Sequence, residues 1–221
     1  MRFIDLSLAV ILSIILIPIL LPVVIVLRIT GEGEVFYRQI RVGINGKRFE
    51  VYKFATMLKN SPSIGAGTIT VKNDPRVLPV GKILRKTKIN ELPQLLNILK
   101  GEMSFIGPRP HAERDLEGVN PQILKSILMV TPGVSGIGSI VFRDEEKILH
   151  ASEDPRSLYD NVIAPYKADL EIWYLKNKNL RNYLLLICIT AYVVLRNDSS
   201  VIFRIFADLP KPPQELKSFL I

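Results

Sequence analysis

Lys88–Pro110, KINELPQLLNILKGEMSFIGPRP, places a carboxylate at a helix start and ends on a Gly-Pro-Arg-Pro turn. Asn90 reads as an N-cap, since its side-chain oxygen can accept from the exposed N–H groups of the next turn. Glu91 then falls in the first turn, where negative charge suits the helix dipole. Pro93 is tolerated there, because first-turn N–H groups have no intrahelical partner. Leu92, Leu95, Leu96 and Leu99 recur at helical spacing as one apolar face, and Gly101 is placed to end the helix at C′. By pattern alone this is a capped, half-buried helix. The turn after it points further: Gly107-Pro108-Arg109-Pro110 stiffens the backbone around one guanidinium, the planar group suited to bidentate phosphate recognition.

On the N-terminal side, Val80–Thr87 reads as a short basic helix with Lys82, Arg85, Lys86 and the following Lys88. Such a charge run is usually a solvated face, but its place directly before Glu91 makes Arg85 a candidate to face an anionic substrate. Asn60–Asn73 is rich in Gly, Ser, Pro and Thr and reads as a surface loop, with order restarting at Asp74-Pro75. Glu34–Ile40 and Lys47–Lys53 read as two extended segments around the turn Gly43-Ile44-Asn45-Gly46. Lys53, at the end of the second, reads either as a solvated edge lysine or as a phosphate or carboxylate contact.

Leu6–Leu27 carries no charge and reaches the roughly 20 residues that cross a hydrocarbon core. It is too long for a signal-peptide core, and no small-residue cleavage site follows it. Pro18 lies mid-run and Pro22 one turn later, so a bend is expected near Pro18. Arg2, Arg28, Arg38 and Arg41 put positive charge on both flanks, which suits both ends on the cytosolic side better than a simple crossing.

Toward the C-terminus, Pro121–Val130 is apolar at helical spacing and suits either the membrane interface or the core. Thr131–Ser139 reads as a Pro/Gly/Ser loop, holding Pro132 and Gly133, of the sort that lets backbone approach a ligand closely. Ser157–Lys176 reads as a long helix interrupted or begun at Pro165, and Tyr183–Leu195 as an apolar stretch too short to span, a core helix first and an interfacially docked one second. The tail after Asp208, with three prolines, reads as poorly ordered. The lone Cys188 reads as a buried filler residue. The chain has Lys+Arg 29 against Asp+Glu 21, formal net charge +8, which favours an anionic partner. Its basic residues are scattered and lack interleaved aromatics, so nucleic acid is not the expected partner.

The ordered motifs resemble the bacterial sugar transferases, the small monotopic phosphoglycosyl transferases that start glycan assembly on a lipid carrier. The likeness runs through Arg2-x-Ile-Asp5, Gln39-x-Arg41-Val42-Gly43, Tyr52-Lys53-Phe54-x-Thr56-Met57 and Gly81-x-x-Leu84-Arg85. It continues through the Glu91–Pro110 segment, Pro132-Gly133-Val134-Ser135-Gly136 and Tyr174-x-x-Asn177. The resemblance implies an α+β fold: a re-entrant membrane helix over 1–30, a compact, mostly helical cytosolic catalytic domain over 31–208 with a small β-hairpin and interfacial amphipathic helices, and a tail over 209–221. It implies residence in the bacterial inner membrane with the catalytic domain on the cytosolic face. The implied reaction moves a sugar phosphate from a nucleotide sugar, by family habit UDP-linked, to a polyprenyl phosphate.

On the same resemblance, Glu91 binds Mg2+, and Lys53, Arg85 and Arg109 contact phosphate. Pro132, Gly133 and Arg143 are candidates for the nucleotide loop, and Pro18 marks the membrane bend. Two positions depart from the family pattern: Ile17 stands where a serine precedes the proline, and Thr131 where an arginine precedes Pro132. A third departure touches the chemistry. The family's nucleophile is the aspartate before the glutamate, and here it is Asn90, whose uncharged amide is a far poorer nucleophile. Direct attack by the lipid phosphate, an inactivated site that still binds, and attack by Glu91 itself all remain open. The oligomeric state is not legible from the sequence.

Overall fold

The computed structural model describes residues 1–64, 74–116 and 121–220. It is dominated by helices, with one antiparallel hairpin and one short parallel strand pair. Contacts divide the chain into two compact units. The first comprises Arg2–Arg41 and Phe49–Met103; the second comprises Met1, Val42–Arg48 and Ser104–Ile221.

The first unit opens with α1, Arg2–Ile29, an unbroken helix that holds both Pro18 and Pro22. It is long and apolar enough to cross a membrane. Only Asp5, Ala9 and Leu27 are buried along it, while Ile11, Ile14, Ile15 and Ile17 stand exposed. Both ends are held by the same unit. Arg2 donates to the carbonyls of Ile98 (2.5 Å) and Leu99 (2.9 Å), and Leu27 packs with Phe54 and Leu84 in a core joined by Leu20, Val23 and Val24.

The hairpin expected around Gly43–Gly46 is present as β1, Phe36–Val42, and β2, Arg48–Phe54. Asn45 (φ 56) and Gly46 (φ 73) take the left-handed conformations that the tight turn demands, and Gly43 N–H bonds Lys47 O at 2.8 Å. The basic helix is also present as α2, Pro79–Lys86. Gly81 is required there because a Cβ would overlap the Thr56 carbonyl. Asp74 and Arg76 form a buried ion pair (2.5 Å), and Arg76 also donates to the Ser61 and Ile64 carbonyls. Most of the loop expected over Asn60–Asn73 lies outside the described residues.

The helix expected to start at Asn90 is different. Ile89–Gln94 forms a 3-10 turn, and α3 runs only from Leu95 to Lys100. Asn90 is not an N-cap: it sits inside the 3-10 turn and caps nothing. The buried face is Leu95, Asn97 and Ile98 rather than the leucine row, and Leu96 is exposed. The cause is Asn97, which stitches α3 to β2 by accepting from Tyr52 N–H (3.0 Å) and donating to Glu50 O (2.6 Å). That fixes the helix rotation against what apolar spacing predicts. Gly101 ends the helix at φ 85, as expected.

In the second unit, β3 (Ser104–Ile106) pairs in parallel with β4 (Gly133–Ser135), in register Ser104↔Gly133 and Ile106↔Ser135. Around this pair lie α4 (Pro121–Leu128), α5 (Ile137–Val141), α6 (Glu145–His150), α7 (Pro155–Leu158) and α8 (Ala164–Lys176). A π turn over Tyr159–Ile163 joins α7 to α8 and accommodates Pro165, which lacks an N–H. α9 (Leu180–Arg196) buries Tyr183, Leu186, Ile189 and Val193 but leaves Leu195 83% exposed. Cys188 is exposed rather than buried, because it falls outside that apolar row.

The tail after Asp208 is ordered through Leu220, against expectation: α11 (Gln214–Leu220) buries Leu216 and Leu220, and α10 (Val201–Ile205) ahead of it buries Ile202. Trp173 donates to Asp208 (2.9 Å) and Tyr166 to the Pro210 carbonyl (2.7 Å). The prolines shape a connection that these side chains hold down.

Candidate active site

In the first unit, Asn90 and Glu91 lie in the 3-10 turn that follows α2. Lys88 enters it in the left-handed conformation (φ 61), and its carbonyl accepts from Glu91 N–H at 3.1 Å. A non-glycine residue in that region costs on the order of 1 kcal/mol and is held only by its surroundings. The turn tucks Asn90 into the protein, where Oδ1 has no hydrogen-bond partner among the described residues. An unpaired buried amide oxygen costs about 1–3 kcal/mol, so it marks a place where a donor or a cation completes the shell. Glu91 beside it is half-buried.

Two expected cations lie on neighbouring elements of the same unit. α2 packs on the 3-10 turn, and its half-buried Arg85 reaches Met57 Sδ at 3.4 Å. Lys53, half-buried near the end of β2, is flanked by Tyr52, tied to Asn97, and by Phe54 in the core. The first unit thus carries Lys53, Arg85, Asn90 and Glu91 on elements that pack on one another.

These residues fit a magnesium ion. The Glu91 carboxylate and the orphaned Asn90 Oδ1 are hard oxygen donors, and Mg2+ commonly takes one or two protein oxygens, with water and substrate phosphate completing its octahedron. Among the described residues no group of three or more His, Cys, Asp or Glu forms a closed metal cage.

In the second unit, Gly107-Pro108-Arg109-Pro110 leaves β3 with Gly107 N–H bonded to Ser135 O (3.0 Å) and the Pro108 carbonyl taking Gly133 N–H (2.9 Å). Arg109 is exposed and, among the described residues, makes no hydrogen bond or ion pair. A shallow recess beside it is lined by Pro108, His111, Leu116, Ile127, Leu128 and Pro132.

Thr131–Ser139 is not an open loop; most of it forms β4 and the start of α5. Pro132 and Gly133 are buried, and a Cβ on Gly133 would overlap Gly107. Their close approach is backbone to backbone within the protein. Arg143 is engaged too, donating to Asn197 Oδ1 (2.9 Å) at the C-terminal end of α9.

Sequence reasoning missed a charged cluster in the second unit. Lys167 on α8 donates to both carboxylate oxygens of Glu145 (2.7 Å each) and lies over the Phe142 and Tyr159 rings at 5.1 and 5.3 Å. One turn on, Glu171 is buried with Oε2 unpartnered among the described residues. Burial pushes its carboxyl up to about 8, against the opposing pull of Gly138 N–H and Lys167. Lys-Ala-Asp-Leu-Glu in a helix reads as a solvated face, so no sequence signal marks this cluster.

A family model described as bacterial sugar transferase matches residues 1–197. The chain belongs to that family. This bacterial sugar transferase is 35% identical over 182 residues to an undecaprenyl-phosphate galactose phosphotransferase of Salmonella typhimurium, covering 76% of this chain and 35% of that protein. It is 35% identical over 158 residues to the exopolysaccharide production protein ExoY of Sinorhizobium fredii, covering 65% of this chain and 70% of that one. It is 42% identical over 118 residues to a UDP-glucose:undecaprenyl-phosphate glucose-1-phosphate transferase of Klebsiella pneumoniae, covering 52% and 25%. The chain therefore spans about a third of the length of the first of these relatives.

Proposed function

We propose that this bacterial sugar transferase moves a sugar-1-phosphate from a UDP-linked sugar to a polyprenyl phosphate, the first step in building an exported glycan. The names of the relatives support the reaction class. The observation that carries it to particular atoms is the buried, unpartnered Asn90 Oδ1 directly before Glu91. That turn keeps an oxygen shell open beside a carboxylate, as a site for a cation and a diphosphate requires.

In the reaction, an oxygen of the lipid phosphate attacks the sugar-bearing phosphorus. The P–O bond to the nucleotide's phosphate breaks, and the nucleoside monophosphate leaves with that bond's electron pair. Bound Mg2+ would offset charge on the phosphoryl oxygens, with Glu91 holding it. Lys53 and Arg85 of the first unit would supply positive charge for phosphate, and Arg109 is the corresponding candidate in the second unit. Asn90 cannot form the acyl-phosphate that an aspartate forms, so attack is direct.

One observation favours a second reading. A neutral amide stands where the family's chemistry uses a carboxylate, which suits a protein that binds the same substrates without turning them over. Incubating the reconstituted chain with UDP-glucose and undecaprenyl phosphate tests both. Lipid-dependent UMP release supports transfer; tight binding of both substrates with no UMP supports the second reading.

The exposed apolar middle of α1 calls for lipid. A straight helix of 28 residues reaches about 42 Å, enough to put its ends on opposite faces of the bilayer. Yet Arg2 and Leu27 are both held by the first unit, which supports a helix that enters and returns on one side, bent at Pro18, with the rest of the chain on the cytosolic face of the inner membrane.

A further inference from the structure

Asn97 is fully buried in the first unit, and every polar atom of its side chain is used. Oδ1 accepts from the Tyr52 N–H (3.0 Å), while Nδ2 donates to the Glu50 carbonyl (2.6 Å) and to the Glu102 carboxylate (2.7 Å). Just past β2, Ala55 N–H bonds the Val35 carbonyl (2.9 Å). Odd-numbered residues there turn their backbone groups toward β1, and Glu50 and Tyr52 turn theirs to the other edge. The Asn97 carboxamide takes the C=O of one residue and the N–H of the residue two further on. A residue of a neighbouring parallel strand would take the same pair. One side chain thus closes the free edge of a two-stranded sheet.

Apolar packing does not call for an asparagine here. Leu95 and Ile98 already fill the buried face of α3, and an unpaired buried amide would cost about 1–3 kcal/mol. A fully paired one supplies register, because it is satisfied in only one alignment of helix and strand. A second tie agrees with it: Lys100, about one turn on, donates to Tyr52 Oη (2.7 Å) and lies 4.5 Å from the centre of that ring. Glu102 holds the carboxamide in place, and its own N–H bonds the Asn97 carbonyl (2.9 Å).

That register decides where the next residue points. Lys53 directly follows Tyr52, so its side chain takes the opposite face of the hairpin. A one-residue slip of β2 would exchange the two faces. α3 in turn continues from the 3-10 turn that carries Asn90 and Glu91. Asn97 therefore couples the strand that bears Lys53 to the turn that bears Glu91, within one unit.

We propose that Asn97 is a positioning residue of the proposed transferase site: its carboxamide, held by Glu102, sets β2 against the Asn90–Glu91 turn and so places Lys53 for the substrate's diphosphate. This rests on the transferase reading given above, in which Lys53 contacts phosphate.

The test is a double-mutant cycle on equilibrium binding of UDP-glucose to the full chain in nanodiscs, with melting temperatures measured on the same samples. Lys53→Met should weaken binding by about tenfold, as loss of one charge-assisted contact does. Asn97→Asp keeps the shape and the acceptor for Tyr52 but loses both donors, and should also cost about tenfold. In the Lys53→Met background Asn97→Asp should cost no more than about twofold, because the residue it positions is gone. A tenfold cost in both backgrounds makes Asn97 merely structural and overturns the proposal. If Asn97→Asp does not melt cooperatively, Glu102→Ala takes its place in the cycle. It should weaken binding several-fold in the parent background and not in Lys53→Met. Glu102→Gln, whose amide oxygen still accepts from Nδ2, should match the parent protein. No loss in Glu102→Ala, or an equal loss in both backgrounds, also overturns the proposal. Either result, with UDP-glucose bound by the parent protein, leaves the transferase reading standing. No binding by the parent protein defeats that reading, and the role of Asn97 with it.

Discussion

Gly133 lies against Gly107 backbone to backbone, between the Pro108 carbonyl that takes its N–H and the Ser135 carbonyl that takes the N–H of Gly107. The two glycines lock a parallel strand pair to the base of the Arg109 turn. A methyl on Gly133 has only backbone to displace, so the turn must move. Gly133→Ala should cost roughly 2–4 kcal/mol of stability, in the range of severe overpacking. Thermal unfolding in detergent checks this, with an unchanged melting temperature as the contrary result.

Glu171 should make stability depend on pH. Its carboxyl ionises near 8 when folded and near the ordinary 4.5 when unfolded, so between those values the folded state holds a proton that the unfolded state lacks. Its contribution is therefore most favourable at low pH and declines as pH rises from about 4.5 to about 8, by roughly 1.4 kcal/mol per unit. Glu171→Gln removes that dependence. Denaturant unfolding at pH 5 and pH 8 should show the variant gaining on the parent protein at pH 8; a constant difference would contradict the buried neutral carboxyl.

Asn90→Asp should keep the fold, because the 3-10 turn is set by Lys88 and not by a side-chain cap. It restores a carboxylate nucleophile, so turnover with UDP-glucose should rise by at least about tenfold. Intact mass should show a sugar-phosphate adduct that the parent chain lacks. Unchanged turnover with no adduct would point to direct lipid attack as the route in both proteins.

The ends of α1 offer a topology test. Phe3 is 82% exposed and Ile29 76% exposed, so either position accepts a cysteine without disturbing the core. In a Cys188→Ser background, Phe3→Cys and Ile29→Cys should both react with an impermeant maleimide from the same side of sealed vesicles. Reaction from opposite sides would establish a crossing helix.

Much of the fold was legible because local chemistry wrote it. Gly43-Ile44-Asn45-Gly46 can make little but a tight turn, Val80–Thr87 has the pattern of a short helix, and Gly101 ends α3 as glycine does. The helix at Asn90 was misread because its rotation is set by Asn97 reaching across to β2, a contact between residues far apart in sequence that outweighs the leucine spacing. The tail was misread because Trp173 and Tyr166 supply its anchors from α8. Glu91 and Arg109 stood out as residue types in stiff settings. Lys167 and Glu171 did not, since burial and the Gly136–Gly138 approach, which give them their properties, exist only after folding.

The most direct measurement is UMP formation by the full chain reconstituted with undecaprenyl phosphate, UDP-glucose and Mg2+, compared with Glu91→Gln. The account predicts UMP appearing in step with a lipid diphosphosugar, and its loss on adding EDTA or in Glu91→Gln. UMP release at the same rate in Glu91→Gln, or without the lipid, would contradict it.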